Sequence, residues 1–197
     1  MHLLFNHPKI NNKKEEKGLS LIESAMVLAL AATVTAGVMF YYQAASDSNK
    51  TQAAISEVMS ATSAINGLYI GQSNYSGLTA SVLKNSSAIP ENYKNGNKIM
   101  NPFGGDLTVE AAENTTAFGY HLTLDKLPKS ACISLATLNL GTSAAGYGIG
   151  INAPKTLANL DGSTPKAGKK TAITPSEAAG DNGCTDGNGN KVTYFMK

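Results

Sequence analysis

Residues 17–46 read KGLSLIESAMVLALAATVTAGVMFYYQAAS, and a single carboxylate, Glu23, stands near the start of an otherwise uncharged apolar run. From Ser24 to Ser46, 23 residues carry no charge. As a helix rising about 1.5 Å per residue they cover about 35 Å, enough for a bilayer core of roughly 30 Å. Lys13, Lys14 and Lys17 come just before the run and orient the preceding tail toward the cytoplasm. A carboxylate in hydrocarbon costs roughly 2.5–3.5 kcal/mol, so an isolated acid here requires a partner.

Two ordinary readings leave Glu23 unexplained. A secretory signal peptide has an apolar core of roughly 7–15 residues followed by a small-x-small cleavage site. This run is longer and ends without a clear site of that kind. A plain single-pass anchor fits the length but gives the acid nothing to do. A third possibility is a carboxylate that snorkels to the interface, which its place near the helix start permits.

The rest of the composition narrows the class. At 197 residues the chain holds one globular domain plus an appendage. From Leu19 to Lys197 it carries twelve Lys against twelve acids, with no Arg and no Trp, and the lysines are dispersed. That argues against nucleic acid as a partner, because a nucleic-acid groove needs cationic patches and stacking platforms. Cys132 and Cys184 follow a membrane-targeting N-terminus, and an even count in an exported chain favours one disulfide over two free buried thiols. Neither cysteine has CxxC spacing or a neighbouring His.

The residues KGLSLIE resolve the acid by resemblance. Gly18, an apolar Leu19 and Glu23 at the fifth place of the apolar segment resemble the cleavage signature of type IV prepilins. The run GLSLIESAMVLALAATVTAGVMFYYQ, the NPFGG loop and the closing KVTYFMK resemble the bundle-forming pilins of the type IVb class. The leader length and Leu19, where the other class usually has Phe, are similar to that class too. The resemblance implies cleavage after Gly18 by a membrane prepilin peptidase and N-methylation of Leu19. Residues 1–18 are then leader, 19–46 the transmembrane and assembly helix, 47–70 the amphipathic half of the same helix, and 71–197 the head. The new amino terminus, basic with an ordinary pKa of about 7.7–8, supplies Glu23 with a partner. In the family that terminus belongs to a neighbouring subunit, so the acid measures axial register.

The helix carries its own packing pattern. Ala25, Ala29, Thr33 and Gly37 recur every four residues beside a bulky row of Met26, Leu30, Val34, Val38 and Tyr42. Small rows let helices approach and bulky rows fill grooves, which fits bundling with further copies, although a lipid-facing Ala-rich anchor gives the same row. Farther on, Ile55, Val58, Met59, Thr62, Ile65 and Tyr69 fall at helical spacing among Asp47, Lys50, Gln52 and Glu57. With no Pro between Leu19 and Ile70, one continuous helix of about 50 residues is predicted, with Gly37 as its weakest point.

Beyond Gly71 the reading is coarser. Residues 71–105 form an irregular connector with short elements, and NPFGGD at 101–106 is a turn. Strands are predicted at AFGYHLTL (117–124), YGIGIN (147–152) and KVTYFMK (191–197). SACISLATLNL is read as a helix starting near Ser130, and Thr174, Pro175 and Glu177 mark the capped start of a short helix before Cys184. The expected fold is α+β: a long helix packed on an antiparallel sheet, with a disulfide-closed C-terminal region. In type IV pilins that region lies on the filament surface.

Catalytic chemistry has no support. His121, the one histidine after the leader, is expected on a strand surface rather than as a base. DGNGNK lacks the glycine and closing glutamate of an EF-hand loop and reads as a flexible turn. Gly104, Gly105 and the GYGIG run lack the Lys and helix that a phosphate cradle needs. No enzyme activity, cofactor or metal is expected. The resemblance implies a major pilus subunit, held in the inner membrane as a prepilin and then polymerised into an extracellular fimbrium of a Gram-negative bacterium. Its implied partners are copies of itself, the peptidase, assembly machinery with cytoplasmic ATPases, and host cells or neighbouring pili. Adhesion and autoaggregation follow from those contacts. A pseudopilin of a type II secretion system, or a minor pilin, shares the same signature.

Overall fold

Helix α1 runs from Leu21 to Leu68 without a break, 48 residues that include Gly37. The computed structural model describes residues 20–113 and 117–197. Gly18 and Leu19, and with them the expected cleavage and methylation, lie outside the described residues. The chain divides into two units between Gln43 and Ala44. In the first, α1 is exposed on every face, and none of its most apolar 18-residue window is buried.

In the second unit α1 has one buried face, made by Thr51, Ala54, Glu57, Val58, Ala61 and Ile65. Two residues depart from the pattern expected of an amphipathic helix. Met59 is 58% exposed, whereas Glu57 is 4% exposed. The turn angle explains both: Glu57 lies three residues after Ala54 and four before Ala61, in the middle of the buried stripe, and Met59 is about 200° farther round.

The sheet has six strands in the order β1-β2-β3-β4-β6-β5. These are Lys94–Asn95, Lys98–Met100, Asp106–Ala111, Tyr120–Leu127, Ala144–Ile149 and Asn190–Met196 for β1 to β6. All neighbours are antiparallel. The three strands expected from sequence are β4, β5 and β6, within a few residues. β1 to β3 extend the sheet beyond them. Helix α2 spans Ala80–Lys84, α3 Lys129–Ala136 and α4 Pro175–Ala179.

Strand alternation builds two cores. Tyr120, Leu122, Leu124, Val192 and Tyr194 form one cluster with Val58, Ala61 and Ile65 of α1. On the other side Phe195 and Phe118 meet edge to face, centroids 4.8 Å apart, beneath Ile151 and Leu160. Full burial of a Leu, Ile or Phe contributes about 1.5–3 kcal/mol each, so both faces stabilise the sheet. The glycines of GYGIG make room for this second layer. A Cβ at Gly146 would stand 2.5 Å from the Lys169 carbonyl, and one at Gly148 would stand 2.6 Å from Ile151.

Candidate functional site

The start of α1 is a closed local structure. Ser20 caps it, its Oγ accepting from the Ile22 N–H at 3.3 Å, while the Ser20 N–H donates to Glu23 Oε2 at 2.9 Å. The Glu23 carboxylate reaches back to the Ser20 N–H as in a capping box, while the Ser20 Oγ takes the N–H of Ile22 rather than that of Glu23, and two helix-end donors are satisfied. The SLIE spelling at 20–23 was the signal for it, and a sequence reading intent on membrane insertion passes over it. Glu23 is exposed and its carboxylate sits at the positive end of the helix dipole.

Along the same segment the small row holds its hydroxyl back. The Thr33 hydroxyl donates to the Ala29 carbonyl and the Thr35 hydroxyl to the Ala31 carbonyl, so neither is left free to face hydrocarbon. Among the described residues nothing stands within 4 Å of the place where a Cβ on Gly37 would lie. Met26, Leu30, Val34, Val38, Phe40 and Tyr42 are each more than 60% exposed. Such a surface belongs in hydrocarbon or against other apolar helices, not in water.

At the opposite end of the chain, Cys132 of α3 is bonded to Cys184, with Cα atoms 6.0 Å apart. Local geometry prepares the junction. Thr174 and Glu177 form a reciprocal capping box on α4, and the Cys184 N–H returns to the Ala178 carbonyl at 2.8 Å. Gly183 admits no side chain, since a Cβ there would fall 2.2 Å from the Ala178 carbonyl oxygen. Lys169 pairs with Glu177 and, together with the Thr174 backbone N–H, holds its carboxyl down to about 2.

The two sequence-marked turns are pinned rather than loose. Asn101 Oδ1 accepts from the Phe103 and Gly105 N–H groups, and its Nδ2 donates to the Asp125 carbonyl at 2.8 Å. Asn190 does the same for 185–190: its Oδ1 accepts from the Thr185 N–H at 2.7 Å, and its Nδ2 donates to the Leu127 and Thr185 carbonyls. What read as a flexible turn is therefore tied to the buried edge of β4.

His121 requires a correction, because it is fully buried rather than on a strand surface. The layer over the second face of the sheet, which includes the short 3-10 turn Pro154–Thr156, closes above it. Burial, with the Lys155 charge adding to it, pushes its imidazole down to about 4, and Glu110 Oε2 lies 3.9 Å from Nε2. Both ring nitrogens lack hydrogen-bond partners, as do both carboxylate oxygens of Glu57. Burial raises Glu57 to about 8. The two stand on opposite faces of the sheet, so they do not form an acid–base pair. Among the described residues no group of three potential ligands is placed to hold a metal ion.

A family model described as Bundlin matches residues 43–197. The chain belongs to the bundlin family. Two bundlins of Escherichia coli are 69% identical to it over 191 residues, covering 96% of this chain and 98% of each relative. They come from strains O111:H- and O127:H6, and each is named major structural subunit of bundle-forming pilus. Coverage of that extent means the similarity is not confined to the head that the family model spans. The crystal structure of a type IV b pilin from Salmonella typhi aligns with 76% of this bundlin and 99% of its own chain, with 16% identity and a TM-score of 0.49. The long helix, the antiparallel sheet and the disulfide-closed C-terminal region of this bundlin are the architecture that the type IV pilin resemblance led us to expect.

Proposed function

We propose that this bundlin is the major structural subunit of a bundle-forming pilus of the type IVb class. The observation that carries the proposal is 69% identity, across 96% of the chain, to two proteins named as that subunit. The fold supports it: an apolar helix half that is unburied among the described residues, and a head closed by a disulfide.

In this reading a prepilin peptidase cuts after Gly18 on the cytoplasmic side, Leu19 is N-methylated, and residues 1–18 are lost. Residues 19–46 hold the subunit in the inner membrane until assembly machinery driven by cytoplasmic ATPases moves it into the fibre. There the apolar surface is covered by the helices of other subunits. The finished fimbrium is extracellular and acts in adhesion and autoaggregation.

Glu23 has two tasks in this scheme. It closes the cap on its own helix through Oε2, and Oε1 is available to the methylated amino terminus of a neighbour. Glu23→Ala removes both, whereas Glu23→Gln keeps an oxygen for the cap and loses the charge. Assembly that survives in Glu23→Gln but not in Glu23→Ala would show that the cap, not axial register, is what filaments require.

The deciding experiment is the intact mass of protein sheared from cells, with electron microscopy of the same fraction. The expected species is Leu19–Lys197 with one methyl group and an oxidised cysteine pair, in fibres. Processed protein confined to membrane and periplasm would make it a pseudopilin instead, and an uncleaved Met1 species would reject the processing scheme.

A further inference from the structure

Charge is unevenly distributed over the head. The unit Ala44–Lys197 has 23 Lys, Asp and Glu residues, yet Val58–Leu83 and Ser130–Pro154, runs of 26 and 25 residues, contain none. The fold brings these two runs together. A groove of about 370 Å³ lies between Met59, Thr62 and Asn66 of α1 on one wall and Leu138, Leu140 and Met196 on the other. Every one of its lining residues is uncharged. A second groove, on the far side of α1's exposed ridge, is lined by Ser, Ala, Gly and Leu only.

Four large apolar side chains are left exposed among the described residues of the head. Met59 is 58% exposed, Leu68 49%, Ile70 82% and Val82 37%, and all four come from the first charge-free run. Depletion of charge with retention of apolar anchors marks the centre of protein interfaces. An uncharged groove excludes a charged partner surface, because an unpaired ion would be desolvated there. The same chain presents both halves of a fit: a projecting Ile70 at the end of α1 and an apolar recess beside Met59. Two different patches that fit each other make a head-to-tail contact, which forms an open helical array when its rotation does not close into a ring.

We infer that the Met59 groove of one head receives the Leu68–Ile70 corner of a second copy of this chain. This contact rests on the pilus reading and specifies one of its subunit interfaces. With the two α1 helices parallel, the nine helical steps from Met59 to Leu68, where α1 ends, set an axial offset of about 14 Å between the contacting copies.

The test uses the full chain in assembling cells, with Met59→Cys and Ile70→Cys in one subunit. After mild oxidation of sheared fibres, a non-reducing gel is expected to show a ladder of subunit multiples that collapses on reduction. Either single variant, or Ile70→Cys combined with Asp161→Cys, should give none. Separately, Ile70→Lys should cut sheared fibre mass by at least about tenfold, the effect of roughly 1.4 kcal/mol at one repeating contact. The chain's membrane level and Cys132–Cys184 bond should be unchanged in that variant. Absence of the ladder, or wild-type fibre yield from Ile70→Lys, overturns the contact while leaving the pilus reading intact. Failure of the unaltered chain to form any fibre removes both.

Discussion

Within α1, Met26, Leu30 and Val34 are 63%, 67% and 66% exposed, whereas Glu57 is 4% exposed. One backbone thus shows apolar side chains to the outside in its first half and encloses a carboxylate in its second. Hydropathy ranks side chains, but burial depends on what stands opposite them. In the head half a sheet stands opposite, and it covers whatever falls on the stripe. In the first half the described apolar side chains stay exposed, a surface suited to hydrocarbon or to other apolar helices.

The contrast can be broken most severely at the bond that closes the head. Cys184→Ser opens a loop with a sequence separation of 52, and chain-entropy estimates put the loss at about 4 kcal/mol. The variant is expected at reduced level, with no fibres, and an unchanged urea midpoint would refute a structural role. A matched pair tests the helix itself. Ile65→Ala should cost about 2–5 kcal/mol of head stability, while Leu30→Ala should leave the head's melting unchanged, because Ile65 is fully buried and Leu30 is 67% exposed. Equal effects would erase the distinction between the halves.

Glu57 sharpens the comparison through pH. Its carboxyl rises from the ordinary 4.5 to about 8 in the folded head, so the folded state binds the extra proton. Stability from this group is therefore full below about 4.5 and is lost as pH climbs toward 8. His121, lowered from 6.5 to about 4, acts in the other direction, and its contribution is lost as pH falls from 6.5 toward 4. The two offset each other in the acid range, and above pH 6.5 the Glu57 slope stands alone. Glu57→Gln should flatten the decline measured by urea melts between pH 6.5 and 8; a decline that persists would assign it elsewhere. The smallest effect is expected at the helix start, where Ser20→Ala should cost about 0.5–2 kcal/mol in local helix stability. Faster amide exchange at Ile22 would register it, with no change in the head.

Much of this architecture could be read from the chain. The uncharged run and the proline-free stretch specified α1, period-two alternation specified β4 to β6, and T-P-S-E gave the cap of α4. Three features could not be read, each for a physical reason. β1 and β2 are two and three residues long, too short for alternation to register, and β3 spells DLTVEA, with an acid at its first and fifth places interrupting the apolar pattern. His121 shares a sheet face with its cross-strand neighbour Phe195, and the layer over Phe195 has an aperiodic sequence. Glu57 looks like a solvated helix residue because charge outweighs its angular position in any composition-based judgement. At the candidate assembly end, the family signature drew attention to Glu23 but concealed its simpler local partner, the Ser20 amide.

The order of the sheet bears on the timing of synthesis. β6, the last strand in chain order, lies between β4 and β5 and is hydrogen-bonded to both. While a ribosome is still making residues 190–196, β4 lacks one neighbour and β5 lacks its principal one, and the second core lacks Phe195. The strand that joins β4 to β5 is thus supplied after both of them, and it completes the sheet from its middle.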